Sequence, residues 1–236
     1  MTTLPPAVRR YVDRANAVEP AQQVRVTQVG EMWLKPGGRA LRFEAVEDFA
    51  VAEVAFEWRA RFRLLRVVDR FAAGEGLLGA RLFGLFPVMR QTGPELAVGE
   101  ALRYLAELVW VPHAMTANAS LEWRELDERH LVATQVGSTR AAVRLELDEA
   151  GDIVGARVDD RPRAEGKQVV PRPWVGTFGD YAVADGMRMP THGEVRWELP
   201  EGPFPYWRGT IRSVEVTPKD DAGLGRSAEA NAPQWA

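Results

Sequence analysis

The chain has no cysteine among its 236 residues, which removes disulfides, thiolate zinc centres and cysteine nucleophiles together. It has only three histidines, and no H-x-H or H-E-x-x-H spacing joins them, so no metal site is expected. A nucleophile elbow, a phosphate loop and a dinucleotide fingerprint are all missing. Gly74-Glu-Gly76 is too short and lacks a third glycine, so no cofactor is expected either. The net charge of −3 lacks the basic excess of a general nucleic-acid binder, and nucleic acid is not an expected partner. No apolar run approaches the ~18 to 20 residues that a membrane-spanning helix needs. The opening MTTLPPAVRRYVDR shows neither the apolar core of a signal peptide nor a lipobox cysteine. The expected location is the cytoplasm, with a peripheral contact to a membrane left open.

What is present is a hydrophobic fraction of 46%, enough for a sizeable core without metals or disulfides. One stretch is strongly helical, Thr92–Pro112, reading TGPELAVGEALRYLAELVWVP. At 100° per residue Ala97, Val98, Ala101, Leu102, Tyr104, Leu105, Leu108 and Val109 fall on one side, and Glu100, Arg103 and Glu107 on the other. Thr92 and Glu95 have capping-box spacing, Pro94 suits the first turn, and Pro112 ends the helix.

Period-2 alternation dominates elsewhere. A short helix over Ala7–Ala17 precedes a hairpin, Val24–Leu34 and Arg39–Phe49, turned by Lys35-Pro-Gly-Gly38. Val54–Leu64 sets Val54, Phe56, Trp58, Ala60, Phe62 and Leu64 against Glu57, Arg59, Arg61 and Arg63, the pattern of a strand with one dry and one wet face. Leu65–Phe71 continues as the next strand. Leu77–Met89 is apolar on nearly every side and interrupted by Gly79, Gly84 and Pro87; Leu78, Leu82, Leu85 and Met89 predict a short, loosely formed helix or lid. A meander follows: Leu121–Leu126, His130–Val136, Thr139–Leu147 and Asp152–Val158. Arg161–Arg172, with two prolines and a glycine, reads as a polar loop. The closing strands are Trp174–Val183, Glu194–Leu199 and Tyr206–Val216, the last with a parity change near Ser213 that predicts a bulge. The expected class is mainly β (α+β): a large curved antiparallel sheet around a central amphipathic helix, one domain over 1–217 with a disordered tail over 218–236.

Two stretches carry a resemblance. The opening Leu4, Pro5, Val8, Arg10, Tyr11 and the run Arg103, Tyr104, Leu105, Ala106, Glu107, Trp110, Pro112 resemble a bacterial family of unknown function with an R-Y-L-A-E-x-x-W-x-P signature. Trp174, Gly176, Phe178, Asp180 and Tyr181 also fit. The resemblance covers most of residues 4–217. It implies a half-barrel like that of the bacterial (Lol-like) lipoprotein carriers, in which a curved sheet wraps a helix over an apolar cavity. It implies no established activity.

The site residues follow from these readings, with alternatives. Glu100, Arg103 and Glu107 form either a helix-surface ion network worth ~0.3–0.5 kcal/mol per pair or a set of charges that orients a ligand head group inside a cavity. Trp110 lies beside that polar face and offers a flat wall with one donor. The leading expectation is non-enzymatic binding of a lipid or other apolar small molecule, with Arg103, Glu107, Trp110, Phe56, Trp58, Leu82 and Phe86 as ligand-binding residues. The alternatives are an enzyme using Glu107 and His113 as an acid–base pair, and a structural domain whose aromatics leave no cavity. Arg59, Arg61, Arg63, Arg66 and Arg70 form a basic edge that either pairs with Glu44, Asp48 or Glu57 or meets a phosphate-bearing ligand or anionic membrane. Neither the oligomeric state nor the ligand's identity is legible in the residues.

Overall fold

The computed structural model describes residues 4–137, 139–166 and 168–219. Helix α1 (Pro6–Arg14) opens the chain on Pro6, whose fixed φ suits a first helical position. Six strands follow in a meander: β1 (Ala21–Met32), β2 (Leu41–Ala50), β3 (Phe56–Arg61), β4 (Leu65–Ala72), β5 (Glu75–Leu82) and β6 (Phe86–Gln91). Helix α2 (Pro94–Ala106) runs on through a 3₁₀ turn (Glu107–Trp110) to the single-turn α3 (Ala114–Ala117). Seven more strands complete the chain: β7 (Leu121–Asp127), β8 (His130–Gln135), β9 (Ala141–Leu147), β10 (Ile153–Glu165), β11 (Gln168–Ala184), β12 (Met187–Leu199) and β13 (Gly202–Pro218).

All thirteen strands join one antiparallel sheet in the order β6-β5-β4-β3-β2-β1-β13-β12-β11-β10-β9-β8-β7. The sheet curls into a half-barrel and α2 lies in its hollow, touching β4 and β5 near one edge and β8, β9 and β10 near the other. Enclosure on two sides buries more of the helix than a single stripe: Glu100 is buried together with Ala101, Leu102, Tyr104, Leu105 and Ala106. Gly76 of β5 makes the close approach possible, because a Cβ there would lie 3.1 Å from backbone atoms of Ala97. The expected bulge near Ser213 is present, as the β1–β13 register shifts between Thr27 opposite Ser213 and Gln28 opposite Ile211.

Four local expectations need correction. Leu77–Met89 is neither helix nor lid but the β5–β6 hairpin. It reads as apolar on every side because one face looks into the hollow while its turn and the whole of β6 stand exposed. Arg161–Arg172 is not a loop but the end of the β10–β11 hairpin, with Pro162 opposite Pro171. The prolines are tolerated because β9 pairs with β10 only as far as Arg157 and β12 with β11 only from Trp174. Beyond those points the ribbon has free edges, where a missing N–H costs nothing. Helix α2 is not capped by Thr92: its N-cap is Gly93, at φ 124°, with no side-chain cap, and Pro94 then places Glu95 one position too early for a capping box. Finally, the regular α-helix stops at Ala106 and tightens over Glu107–Trp110. Of the expected tail, 220–236 lies outside the described residues.

Candidate functional site

Two inward-facing rows of the sheet carry a carboxylate where the pattern calls for a hydrophobe. On β2 Glu47 stands between Ala45 and Phe49, and on β4 Asp69 stands between Val67 and Phe71; both carboxylates are buried. The register sets Glu47 opposite Trp58 and Trp58 opposite Asp69, so one transverse line reads carboxylate, indole, carboxylate. Arg103 descends on this line from α2. Its Nη2 donates to Glu47 Oε1 at 2.7 Å, its Nη1 to Asp69 Oδ2 at 2.8 Å, and its Nε to Glu107 Oε1 at 2.9 Å. The guanidinium carbon lies 4.7 Å from the Phe56 ring centre and 5.4 Å from that of Trp58, within cation–π range. Gln28 of β1 closes the network, donating from Nε2 to Glu47 Oε2 at 2.6 Å and accepting from Trp58 Nε1 at 3.3 Å.

Two further charges complete the cluster. Glu100 is 5% exposed. Arg161 is also buried; its Nη2 donates to the Gly99 carbonyl at 3.0 Å and its guanidinium covers the Trp174 ring at 4.7 Å. Four carboxyl groups thus face two guanidiniums in a dry setting. Burial raises the proton affinity of all four. Burial and then the charge of Asp69 push Glu100 up to about 8. Glu47 is held well above the carboxylate range by burial, opposed by Arg103 and assisted by Glu107. Asp69 Oδ1, Glu100 Oε2 and Glu107 Oε2 are buried without a hydrogen-bond partner among the described residues, so a proton retained in the cluster has an oxygen to sit on. Four carboxyls outnumber two guanidiniums, and the raised proton affinities all act to reduce that excess of negative charge.

Beside the cluster lies a cavity of about 530 Å³. Its walls are mainly apolar, aliphatic and aromatic side chains together, with Trp58, Phe62, Val67, Trp174, Tyr206 and Trp207 among them. Asp69, Glu100, Arg103, Glu107 and Arg161 supply its charged part. Its lining also includes Leu34, in the β1–β2 turn, which is largely exposed. Size and lining are those of a small-ligand pocket.

The structure brings some of the expected site residues together and leaves others apart. Arg103, Glu107, Trp110 and Trp58 line the cavity. Phe56 is buried under the Arg103 guanidinium instead. Leu82 and Phe86 flank the β5–β6 turn and are not among the lining residues. Trp110 is not at a solvent-facing mouth: it is buried, donates from Nε1 to the Pro190 carbonyl at 2.9 Å, and meets Phe178 and Trp207 ring to ring. His113 is also buried, with Nδ1 unpartnered and its pKa lowered by that burial. It does not line the cavity, and among the described residues no hydrogen bond joins it to Glu107. Of the basic edge, Arg59 pairs with Asp48 and Glu57, while Arg61, Arg63, Arg66 and Arg70 make no ion pair among the described residues. Glu47, Asp69 and Arg161 were not expected at all. The signal for the first two is a carboxylate on the buried parity of a strand. Arg161 gave none while its segment read as a loop.

A curved antiparallel sheet closed over an inner helix, with an apolar cavity between them, defines a half-barrel of the lipoprotein-carrier type. The chain belongs to a family of unknown function, DUF6544, whose model matches residues 1–209. No curated protein matches it in sequence. Among solved structures it is similar to a domain from Vibrio parahaemolyticus named for outer membrane lipoprotein sorting, at 10% identity and a TM-score of 0.50, over 92% of this chain and 93% of that one. It is also similar to a LolA superfamily protein from Nitrosomonas europaea (11% identity, 93% and 97% of the two chains, TM-score 0.46). A third is a DUF1329 family protein from Desulfovibrio piger (12%, 95% and 96%, 0.46). At these identities the likeness is one of fold. The cytoplasmic location expected from the sequence does not stand, because the fold is shared with a domain named for sorting at the outer membrane, which points away from the cytoplasm.

Proposed function

We propose that the protein is a non-enzymatic carrier or receptor for a lipid or similar apolar small molecule held between the sheet and α2. One observation carries this reading: the cavity of about 530 Å³ has mainly apolar walls, and Arg103 at its charged end is already held by three carboxylates. Arg103 has its Nε and both terminal nitrogens committed to carboxylates, so it cannot polarise a substrate without breaking that network. Glu107, the acid–base candidate nearest the cavity, has one oxygen on Arg103 and no histidine beside it. Such a site holds a chain by apolar burial, at roughly 25 cal/mol per Å² of surface removed from water, and the charged cluster sets how deep the chain reaches.

The test is displacement of a fluorescent fatty-acid probe, together with native mass spectrometry of protein taken from its own host. Ala80, a small cavity-lining residue on β5, is the position to fill. Ala80→Phe should lower probe affinity at least tenfold while the protein remains folded. Equal affinity in the filled variant, or no uptake by the parent, would remove the reading.

A further inference from the structure

The β5–β6 end of the half-barrel is built unlike the rest of the surface. Phe83 is 60% exposed, Leu85 72%, Phe86 62% and Val88 56%, four large hydrophobes within six residues. The neighbouring β3–β4 turn adds Leu64, also exposed, and the two turns are tied by a hydrogen bond from the Phe83 N–H to the Leu64 carbonyl at 2.7 Å. In an antiparallel meander the β1–β2, β3–β4 and β5–β6 turns fall at the same end of the sheet, so exposed Leu34 belongs to the same rim. An apolar patch of this kind on a soluble surface marks an interaction site.

The charge around it says what it meets. On the outer face the register sets Arg61 opposite Arg66 and Arg66 opposite Arg81. Three guanidiniums therefore stand in line across three adjacent strands, about 4.8 Å from strand to strand. Like charges directly opposite one another destabilise a sheet; Glu44 of β2 stands opposite Arg61, but among the described residues none of the three arginines makes an ion pair. Arg63 beside Leu64 and Arg90 on β6 add to the same excess. A row of arginines in excess over the one carboxylate beside it, behind an apolar tip, complements a surface with anionic groups above and hydrocarbon beneath. The cavity reaches this rim through Leu34, Val88 and Met89.

We propose that the rim formed by the β1–β2, β3–β4 and β5–β6 turns docks on an anionic lipid bilayer, with Phe83, Leu85 and Phe86 entering the interface and Arg61, Arg66 and Arg81 lying on the head groups. Docked in this way, the cavity faces the membrane at Leu34, and a ligand passes between bilayer and protein without crossing water. The docking stands on the surface alone and does not require the cavity to be filled.

Co-flotation with vesicles tests it on the full chain. The protein should float with phosphatidylcholine–phosphatidylglycerol vesicles and not with phosphatidylcholine alone, and added salt should reverse the binding. Phe83→Ser with Leu85→Ser should abolish flotation. Arg66→Gln should weaken it roughly fivefold, the effect of one arginine near an anionic surface. All these residues are exposed, so the melting temperature should not fall. Binding of the fatty-acid probe in solution should also be unchanged, which separates this proposal from the reading of the cavity. The proposal is overturned if the parent floats with neither vesicle, or if the serine variant floats as well as the parent. It is equally overturned if the parent is a dimer in sedimentation and the serine variant a monomer, since a second copy is then what covers the tip.

Discussion

Replacing Glu100 with glutamine keeps the size and hydrogen-bonding capacity of the side chain and removes its titration. In the native protein burial and Asp69 push the Glu100 carboxyl up to about 8, whereas in the unfolded chain it titrates near 4.3. Between those values the native state holds a proton that the unfolded state releases, so stability is fully present below the unfolded pKa. It falls as pH rises, by about 1.4 kcal/mol per unit, until the folded pKa is reached. Glu100→Gln has no such dependence at this site. Taken as the difference between variant and parent, titrations outside the cluster cancel. The variant should gain on the parent by roughly 3 kcal/mol between pH 5.5 and pH 8 and no further above that. Urea unfolding at a series of pH values, followed by tryptophan fluorescence, reads this directly. A difference constant to within ~0.5 kcal/mol over the range would mean that Glu100 is ionised in the native state. The raised proton affinity assigned to Glu100 would then be wrong.

Arg103→Ala strips the counter-charge from Glu47, Asp69 and Glu107 at once and should cost about 3–5 kcal/mol at neutral pH, as breaking a buried ion network does. The loss should shrink in acid, where the carboxyls protonate, and adding Glu47→Gln with Asp69→Asn should recover part of it; denaturation at pH 7 and pH 5 checks both. Leu105→Asp places an unpaired charge at a fully buried position of α2 and should cost several kcal/mol; a measured loss below about 1 kcal/mol would mean that α2 does not fill the hollow.

Much of the architecture was legible because a half-buried strand writes its two faces into alternate residues. Phe56, Trp58 and Ala60 against Glu57, Arg59 and Arg61 could only be read one way, and the structure buries the first set. The misreadings share a cause. At Leu77–Met89 and Arg161–Arg172 glycine and proline read as punctuation, yet Pro87 lies on the edge strand and Pro162 and Pro171 at a free ribbon end, where a sheet tolerates them. The site was half legible. Arg103 and Glu107 announced themselves by helical spacing, but their partners lie on strands distant in sequence. Glu47 and Asp69 show only as carboxylates out of place in apolar rows, and nothing local states that both are spaced around Trp58 to receive a single guanidinium.

The path of the chain also divides the molecule in time. Every strand pairing except one joins neighbours in sequence; β1 with β13 alone joins the beginning to the end. β1 to β6 and β7 to β13 are therefore two local ribbons, and α2 is the thread between their outer edges. Each ribbon can assemble from short loops, and the large entropy of closing nearly the whole chain is met once, along the Ala21–Met32 seam. β13 is the strand that joins the two ribbons, so without the β1–β13 seam the two walls of the hollow around α2 share no ladder of hydrogen bonds.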